Sequence, residues 1–374
     1  VIQQNRRTFV GVTTGFLAAA IYPKKAFSFA QENLPTPDFS YDEENPPFLA
    51  GVRPFRTGTF RLEGEVIDDR LIVHNYGHGG AGITMSWGSA LEAADLIADW
   101  RRDREVRTAA ILGAGVIGLT TATVLQQNGF VVKIYAKGFQ RETTSFVAGG
   151  QFAPSHVEYP RTGAGFSRFQ RLLARSYRAH EACIGLGFGV SRRPNYCWGR
   201  SRGLDTVPRD VIPEPVYLSR LPFEGHTSSG YVYETLLVEP PLFLKKLEED
   251  LLENGAEFER RTFIDRSDML TLNEDLIVNC TGLGAREVAA DANMIGIKGQ
   301  LVWLPPQPHL QYLYQDHGYI FPRGDVVVVG GTSERGVETT HPDPEACRRL
   351  LAHAQSTFLG QLESYKPFSD HISF

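Results

Sequence analysis

Gly113-Ala114-Gly115-Val116-Ile117-Gly118 sets three glycines at the spacing GxGxxG, an arrangement that lets a turn carry a pyrophosphate. Gly113 permits a tight turn, Gly115 lets the backbone approach phosphate oxygens, and Gly118 lets the following helix pack closely on the strand. The phosphates would sit at the helix N-terminus, where unpaired N–H groups and the helix dipole favour negative charge. The flanking residues supply the elements such a turn needs. Ala109 to Leu112 is an apolar run suited to a buried parallel strand, and Leu119 to Gln127 continues as a helix. Asn128-Gly129 stops that helix, and Val131 to Tyr135 forms a second strand. Glycines alone would mean only a tight turn, but strand, glycines, helix and strand in this order predict a dinucleotide-binding unit. One residue departs from the pattern. The acid expected after the second strand, for the ribose hydroxyls, is replaced by Ala136-Lys137. Either another group holds the ribose, or Lys137 meets a phosphate, or affinity is reduced. The motif does not separate FAD from NAD.

The chain around this unit is long enough for two domains, with 374 residues, 42% hydrophobic and 22% charged. Lys plus Arg number 38 against 43 Asp plus Glu, a net charge of −5, and no basic stripe suggests a nucleic-acid partner. Cys183, Cys197, Cys280 and Cys347 are too scattered for a disulfide framework, and no His/Cys spacing suggests a metal site. Residues 1–30 read as a secretory signal of the twin-arginine (Tat) type. Arg6-Arg7 precedes the apolar run Val10 to Ile21 and the small-x-small step Ser28-Phe29-Ala30. Export to the periplasm follows from that reading, and a frayed helix of a cytoplasmic protein is the bland alternative. The apolar run is too short to span a bilayer comfortably, so no stable membrane span is expected after signal removal. Residues 31–50, rich in Pro, Glu and Asp, read as an extended linker.

Further segments resemble the D-amino-acid oxidase family. Gly51-Val52-Arg53-Pro54-Phe55-Arg56 is similar to its GFRP-type segment, and Leu71 to Ala90 (LIVHNYGHGGAGITMSWGSA) contains its HNYGHGG helix start. Thr143-Thr144-Ser145-Phe146-Val147-Ala148-Gly149-Gly150 resembles the family's TT-x-x-A-x-G loop, and Leu276 to Gly282 (LIVNCTG) its strand and turn near the flavin. Ile297-Lys298-Gly299-Gln300 and Gly330-Gly331-Thr332 match later landmarks, so the resemblance covers most of residues 51 to 335. The order differs. Here the GFRP and HGG segments precede the nucleotide unit, which reads as a circular permutation. A helix leaving Gly79-Gly80 for about 20 residues would run roughly 30 Å from the flavin. There the first strand of the nucleotide unit begins, so Arg101 to Arg107 needs only a short turn. This arrangement predicts that Phe374 lies near residues 31–50, on a face remote from the flavin.

The resemblance implies an FAD-dependent oxidase that deaminates D-amino acids. Hydride passes from the substrate Cα to flavin N5, the imino acid is hydrolysed to a 2-oxo acid and ammonia, and dioxygen becomes hydrogen peroxide. It implies that Arg53 clamps the substrate carboxylate, a task for which a planar guanidinium fork is suited and a Lys is not. A surface or ion-paired arginine is the alternative. Gly80 would offer its carbonyl to the amine. Gly79, Gly80, Ala81, Gly82, Ile83 and Thr84 would pack under the flavin ring, with Thr143, Thr144, Gly149, Gly150, Thr281 and Gly282 as further cofactor contacts. His74 and His78 read as structural hydrogen-bonding residues, since hydride transfer requires no base there. The pocket departs from the family: Ser229 stands where a tyrosine is expected, and Ala81 replaces the large residue of HGGxG. Tyr231 or Tyr233 could take over, and Tyr319 is a further pocket candidate, with a core aromatic as its alternative.

The expected fold is α/β: a Rossmann-like FAD-binding domain (51–155 and 235–290) with a substrate domain (156–234 and 291–374) built on a mixed or antiparallel sheet. Strands near 326–332 are free to return to the first domain. Gly165 to Ala182, Pro240 to Asn254 and Asp343 to Leu362 read as helices, Leu301 to Leu304 and Val326 to Val329 as strands roofing the flavin, and Arg192 to Arg209 as loops around a short strand. The partners expected are an amino acid or amine and dioxygen, and a homodimer is compatible with the composition. Two other functions remain open at this stage. One is a flavin dehydrogenase passing electrons to a different acceptor, and the other is a non-catalytic flavin-binding protein.

Overall fold

A computed structural model describes residues 33–201, 204–224 and 228–359. The expected signal at 1–30 and the terminal Phe374 lie outside the described residues.

The nucleotide unit folds as its pattern predicts. Strand β4 (Thr108–Leu112) runs into the glycine turn, helix α2 (Val116–Gln127) follows, and β5 (Val131–Ala136) returns beside β4 in parallel register, Thr108 opposite Val131. These strands belong to a six-stranded sheet whose spatial order is β2-β3-β10-β4-β5-β9. Here β2 is Arg61–Ile67, β3 is Arg70–Tyr76, β9 is Glu257–Arg260 and β10 is Leu276–Asn279. The central strand β10 pairs in parallel with β3 on one side and β4 on the other, and all four of its residues are buried. An unbroken apolar run (Leu276-Ile277-Val278) is what a strand covered on both faces requires. Between β2 and β3 the loop is only Asp68-Asp69, both left-handed at φ 49° and 62°. That is the backbone of a type I′ hairpin, which asparagine and aspartate tolerate better than most residues.

After β3, helix α1 (Gly82–Trp100) crosses one face of this sheet and packs on α2 and on α3 (Gly163–Ala182). Arg104 N donates to Arg101 O at 2.9 Å, closing the short turn that carries α1 into β4. Helix α4 (Pro240–Glu253) opens with proline at its first turn and packs against α2.

The second sheet has nine strands. It runs β1-β11-β14-β13-β12-β6-β8-β7, with a short strand, Glu334–Arg335, pairing off β11. Strand β1 (Phe48–Arg56) is antiparallel to β11 (Met294–Leu304) over nine residues. The others are β6 (Val190–Trp198), β7 (Val216–Leu218), β8 (Gly230–Val238), β12 (Leu313–Gln315), β13 (Tyr319–Pro322) and β14 (Val327–Gly330). Only the β12–β6 pair is parallel, so the sheet is mixed, as expected. Strand parity splits its faces. Tyr319 and Phe321 face the first sheet, while Ile320, Val327 and Val329 face the C-terminal helix Pro344–Phe358. Asp343 caps that helix through Glu345 N at 2.9 Å and Ala346 N at 3.2 Å.

Three segments differ from their sequence reading. Residues 33–50 are extended but docked rather than free. Leu34 N donates to Pro222 O, Asp38 and Gln307 exchange two hydrogen bonds of 2.8 and 2.7 Å, and β1 already begins at Phe48. Proline and acid content signals irregular backbone, not absence of contacts, and Leu34 and Phe39 supply the apolar anchors. Strand β1 belongs to the larger sheet, although residues from 51 onward were grouped with the nucleotide half. Finally, Val190–Trp198 is a nine-residue strand, longer than Arg192's polarity suggested. Arg192 is neutralised by Glu181 at 2.6 Å and Glu234 at 3.7 Å, which lets charge sit within a sheet.

The described end of the C-terminal helix stands by the docked N-terminal segment, with the Phe358 and Phe39 rings 6.1 Å apart. Phe223 binds these pieces together. It is fully buried, and its ring lies 4.9 Å from Phe358, 5.2 Å from Tyr312 and 5.5 Å from Tyr314. Phe223→Ala should destabilise the protein by about 3–5 kcal/mol, read as a fall in the denaturant midpoint at unchanged m-value.

Candidate functional site

Between the two sheets lies a cleft lined by residues of both, among them Arg53, Gly79, Val116 and Gln315. One end is the glycine turn. Gly113 is left-handed at φ 107°, and a Cβ there would stand 2.4 Å from the carbonyl of Cys280. At Gly118 a Cβ would come within 1.9 Å of Gly113 O, so α2 is pressed onto the turn as only glycine allows. Gly115 caps α2 with extended backbone and no side-chain acceptor, and Ser145 Oγ takes the N–H of Val116 at 3.0 Å. The remaining first-turn donors of α2 suit a pyrophosphate, and Val116 and Ile117 line the cleft. The residues present therefore fit a dinucleotide cofactor.

The middle of the cleft is built by Gly79 and Gly80, in the short 3-10 turn leading into α1, and by Gly82 and Ile83, which begin it. A Cβ on Gly79 would stand 1.8 Å from His156 O, and Gly80 N donates to that same oxygen at 3.2 Å. Ala81 lies behind in the core, and the Thr84 hydroxyl donates to Ala153 O at 2.9 Å. Thr144, Gly149, Gly150 and Gly282 line the same space. Thr143 instead donates to Gln140 O at 2.7 Å, and Thr281 hydrogen-bonds Asn279 at 2.7 Å, both beside the lining rather than in it. Ala114 is buried behind the turn. Lys137 is exposed outside the cleft, and its carbonyl accepts from Arg260 at 2.7 Å. The nearby carboxylate of Glu142 is taken up by the same arginine at 2.8 Å.

The far wall carries the charge. Arg53, on β1, lies across the backbone of Gly299, where a Cβ would stand 2.7 Å from its guanidinium nitrogens. It donates to Thr332 O at 3.2 Å and lies within electrostatic reach of the Tyr319 hydroxyl, and among the described residues it has no carboxylate partner. Burial lowers its pKa and raises that of Tyr319. Its neighbours are spoken for, Arg56 by Asp291 and Arg61 by Glu63, each at 2.7 Å. A buried guanidinium with only neutral partners at a cavity wall has the planar fork that two parallel hydrogen bonds to a carboxylate require. Among the cleft's lining residues Arg53 is the single Arg, Lys, Asp or Glu.

Tyr231 and Tyr233 do not reach the cleft. They stack on each other at 6.2 Å inside the larger sheet, and Tyr233 acts from behind by accepting from Gln151 at 3.2 Å. His74 bonds Glu65 at 3.0 Å away from the cleft. His78 bonds Ser89 at 3.0 Å, and burial pushes its pKa down to about 3. Among the lining residues that sequence reasoning missed are Gln151, Gln315 and His156. His156 is left-handed at φ 49°, and neither ring nitrogen has a protein partner. Burial, helped by Arg53, pushes its pKa down to about 3, so the ring is neutral. No periodicity marks these residues; only the fold brings them together.

A family model described as FAD dependent oxidoreductase (DAO) matches residues 108–370. D-amino-acid oxidase of Streptomyces coelicolor is 30% identical over 266 residues, 68% of this chain and 77% of that protein. D-aspartate oxidase of Homo sapiens is 29% identical over 265 residues, covering 65% and 73%. Among solved structures, glycine oxidase from Bacillus cereus ATCC 14579 shares the fold with TM-score 0.51 and 18% identity, over 68% of this chain and 78% of that one.

Two consequences are measurable. Gly118→Val should lose the bound flavin, read as a collapsed 450 nm to 280 nm absorbance ratio in the purified protein. The buried neutral histidines also predict acid sensitivity. His78 and His156 sit at about 3 and His180 at about 4 when folded, against 6.5 unfolded. Below pH 6.5 the unfolded chain takes up protons that the folded chain refuses, so stability is full above that pH and falls as pH drops toward 3. Thermal midpoints should decline across this window, and His78→Gln should flatten the decline.

Proposed function

The chain belongs to the DAO family of FAD-dependent oxidoreductases, and on that premise we propose that it oxidises D-amino acids with dioxygen as electron acceptor. The observation that carries this reading is Arg53, buried, free of any acid among the described residues, bonded to Thr332 O and beside Tyr319 at the cleft wall. When bound, FAD supplies the two-electron acceptor that the protein's own side chains lack. Arg53 and Tyr319 hold the substrate carboxylate and so fix which face and which hydrogen of Cα point at the glycine-lined floor. Gly79, Gly80 and Gly82 let a flat ring approach the backbone at the start of α1, where first-turn N–H groups favour negative charge. No acid or lysine lines the cleft, and His78 and His156 are held neutral. That inventory suits a reaction whose main demand is orientation rather than proton abstraction by a strong base. The identity shared with D-amino-acid oxidase and D-aspartate oxidase supports the D-stereochemistry.

A permuted chain order accompanies this reading. The family match begins at residue 108, yet β1 and the start of α1, earlier in the chain, supply Arg53 and the glycine floor to the same cleft. Export by the twin-arginine route rests on the residues Arg6-Arg7 and their apolar sequel.

Anaerobic mixing with D- and L-amino acids, followed by admission of air, tests the function. D-isomers alone should bleach the flavin, and peroxide should appear with air. Bleaching without reoxidation by air would assign a different electron acceptor. Arg53→Ala should keep its flavin and lose kcat/KM on the order of 10³-fold, and an unchanged kcat/KM would remove Arg53 from the carboxylate site.

A further inference from the structure

We infer that Gln151 and Gln315 form the side-chain subsite of this cleft and select neutral amino acids whose side chains carry hydrogen-bonding groups, a carboxamide above all. The inference rests on the amino-acid reading above and names its substrate class. Gln315 Oε1 accepts from Asn195 Nδ2 at 2.7 Å and from Gln151 Nε2 at 3.1 Å. With its oxygen doubly engaged, the Gln315 amide turns its NH2 outward. Gln151 Nε2 also donates to the Tyr233 hydroxyl at 3.2 Å, so both of its hydrogens are used and its oxygen is the atom left over. Asn195 and Tyr233 are fully buried and joined to each other at 2.9 Å, which fixes the frame from behind. Both glutamines line the cleft. The wall therefore presents one amide donor and one amide acceptor, the complement of another primary amide.

Position supports the assignment. Gln315 stands directly opposite Tyr319 across the β12–β13 pair, so the two side chains share a face with Cβ atoms about 5 Å apart. Tyr319 and Arg53 line the same wall of the cleft and interact electrostatically. The amide pair thus lies one residue pair away from the carboxylate clamp, within reach of a short side chain. Charge argues the same way. A second carboxylate would find no second cation among the lining residues, and an ammonium would find no acid. A purely aliphatic side chain would dehydrate two amide groups and return no hydrogen bond.

The test compares kcat/KM for anaerobic flavin reduction of the holoenzyme by D-glutamine, D-asparagine, near-isosteric D-methionine and D-glutamate, and D-lysine. D-Glutamine or D-asparagine should exceed D-methionine and D-glutamate by about tenfold or more. Gln315→Met should shrink the D-glutamine to D-methionine ratio about tenfold, and isosteric Gln315→Glu should raise D-lysine relative to D-glutamine. Reduction led by D-methionine, D-glutamate or D-lysine in the wild type overturns the subsite while leaving the amino-acid reading intact. A ratio unmoved in folded Gln315→Met overturns it as well. Reduction by no amino acid removes the amino-acid reading and the subsite together. The wild-type ranking decides the matter even where a variant does not fold.

Discussion

Close approach of backbone to backbone governs this molecule. At Gly118, Gly79, Gly113 and Gly80 a single added carbon would meet a main-chain oxygen at 1.9, 1.8, 2.4 and 2.8 Å. Side chains cannot yield at such contacts, because the obstacle is itself main chain. The glycines let α2 and the start of α1 press against the turns that face them, and the two helix beginnings converge on one cleft. Everything polar in the site is then placed relative to that floor. Arg53 obeys the same rule from the opposite wall, since its guanidinium occupies the space that a Cβ of Gly299 would take.

Charge is distributed with corresponding economy. Several surface and intermediate arginines are paired with carboxylates, among them Arg56, Arg61, Arg168 and Arg192. The one cation in the cleft is left with carbonyl and hydroxyl partners only. A neutral acceptor satisfies an N–H geometrically without cancelling its charge, so an anion entering the cleft meets a preorganised field that solvent does not screen. The neutral histidines fit this scheme. A protonated ring at His156 would compete with Arg53, and burial prevents it.

Local elements were legible in the sequence wherever pattern and chain order coincide. The strand at 109–112, the helix ending at Gln127, the strand from Val131 and the proline-led helix at 240 all appear within a residue or two of their expected bounds at most ends. Arg53 and the glycine run at 79–82 were legible through resemblance, and the structure brings them to one cleft. Gln151 and Gln315 were not, because their meaning lies in a network with Asn195 and Tyr233 that no spacing records. Tyr231 and Tyr233 misled for a related reason. Alternation along β8 fixes which residues share a face, but not whether that face looks into the cleft or into the body of the sheet. The docking of residues 33–50 was hidden because proline and acidic composition reports irregular backbone and is silent on burial.

The position of β10 has a consequence for how the chain acquires its shape. Strands β3 and β4 are synthesised early and are joined by a single helix, yet they are not neighbours. The ladder between them is completed only by β10, which emerges from the ribosome long after both. Until then the nascent chain holds two half-sheets with apolar, unpaired parallel edges turned toward each other across a missing strand. Parallel pairings over such sequence distance form slowly, and open edges invite foreign strands. Assembly of the nucleotide-binding half therefore cannot be completed before β10 is available, and until then the unpaired edges are exposed to misassembly.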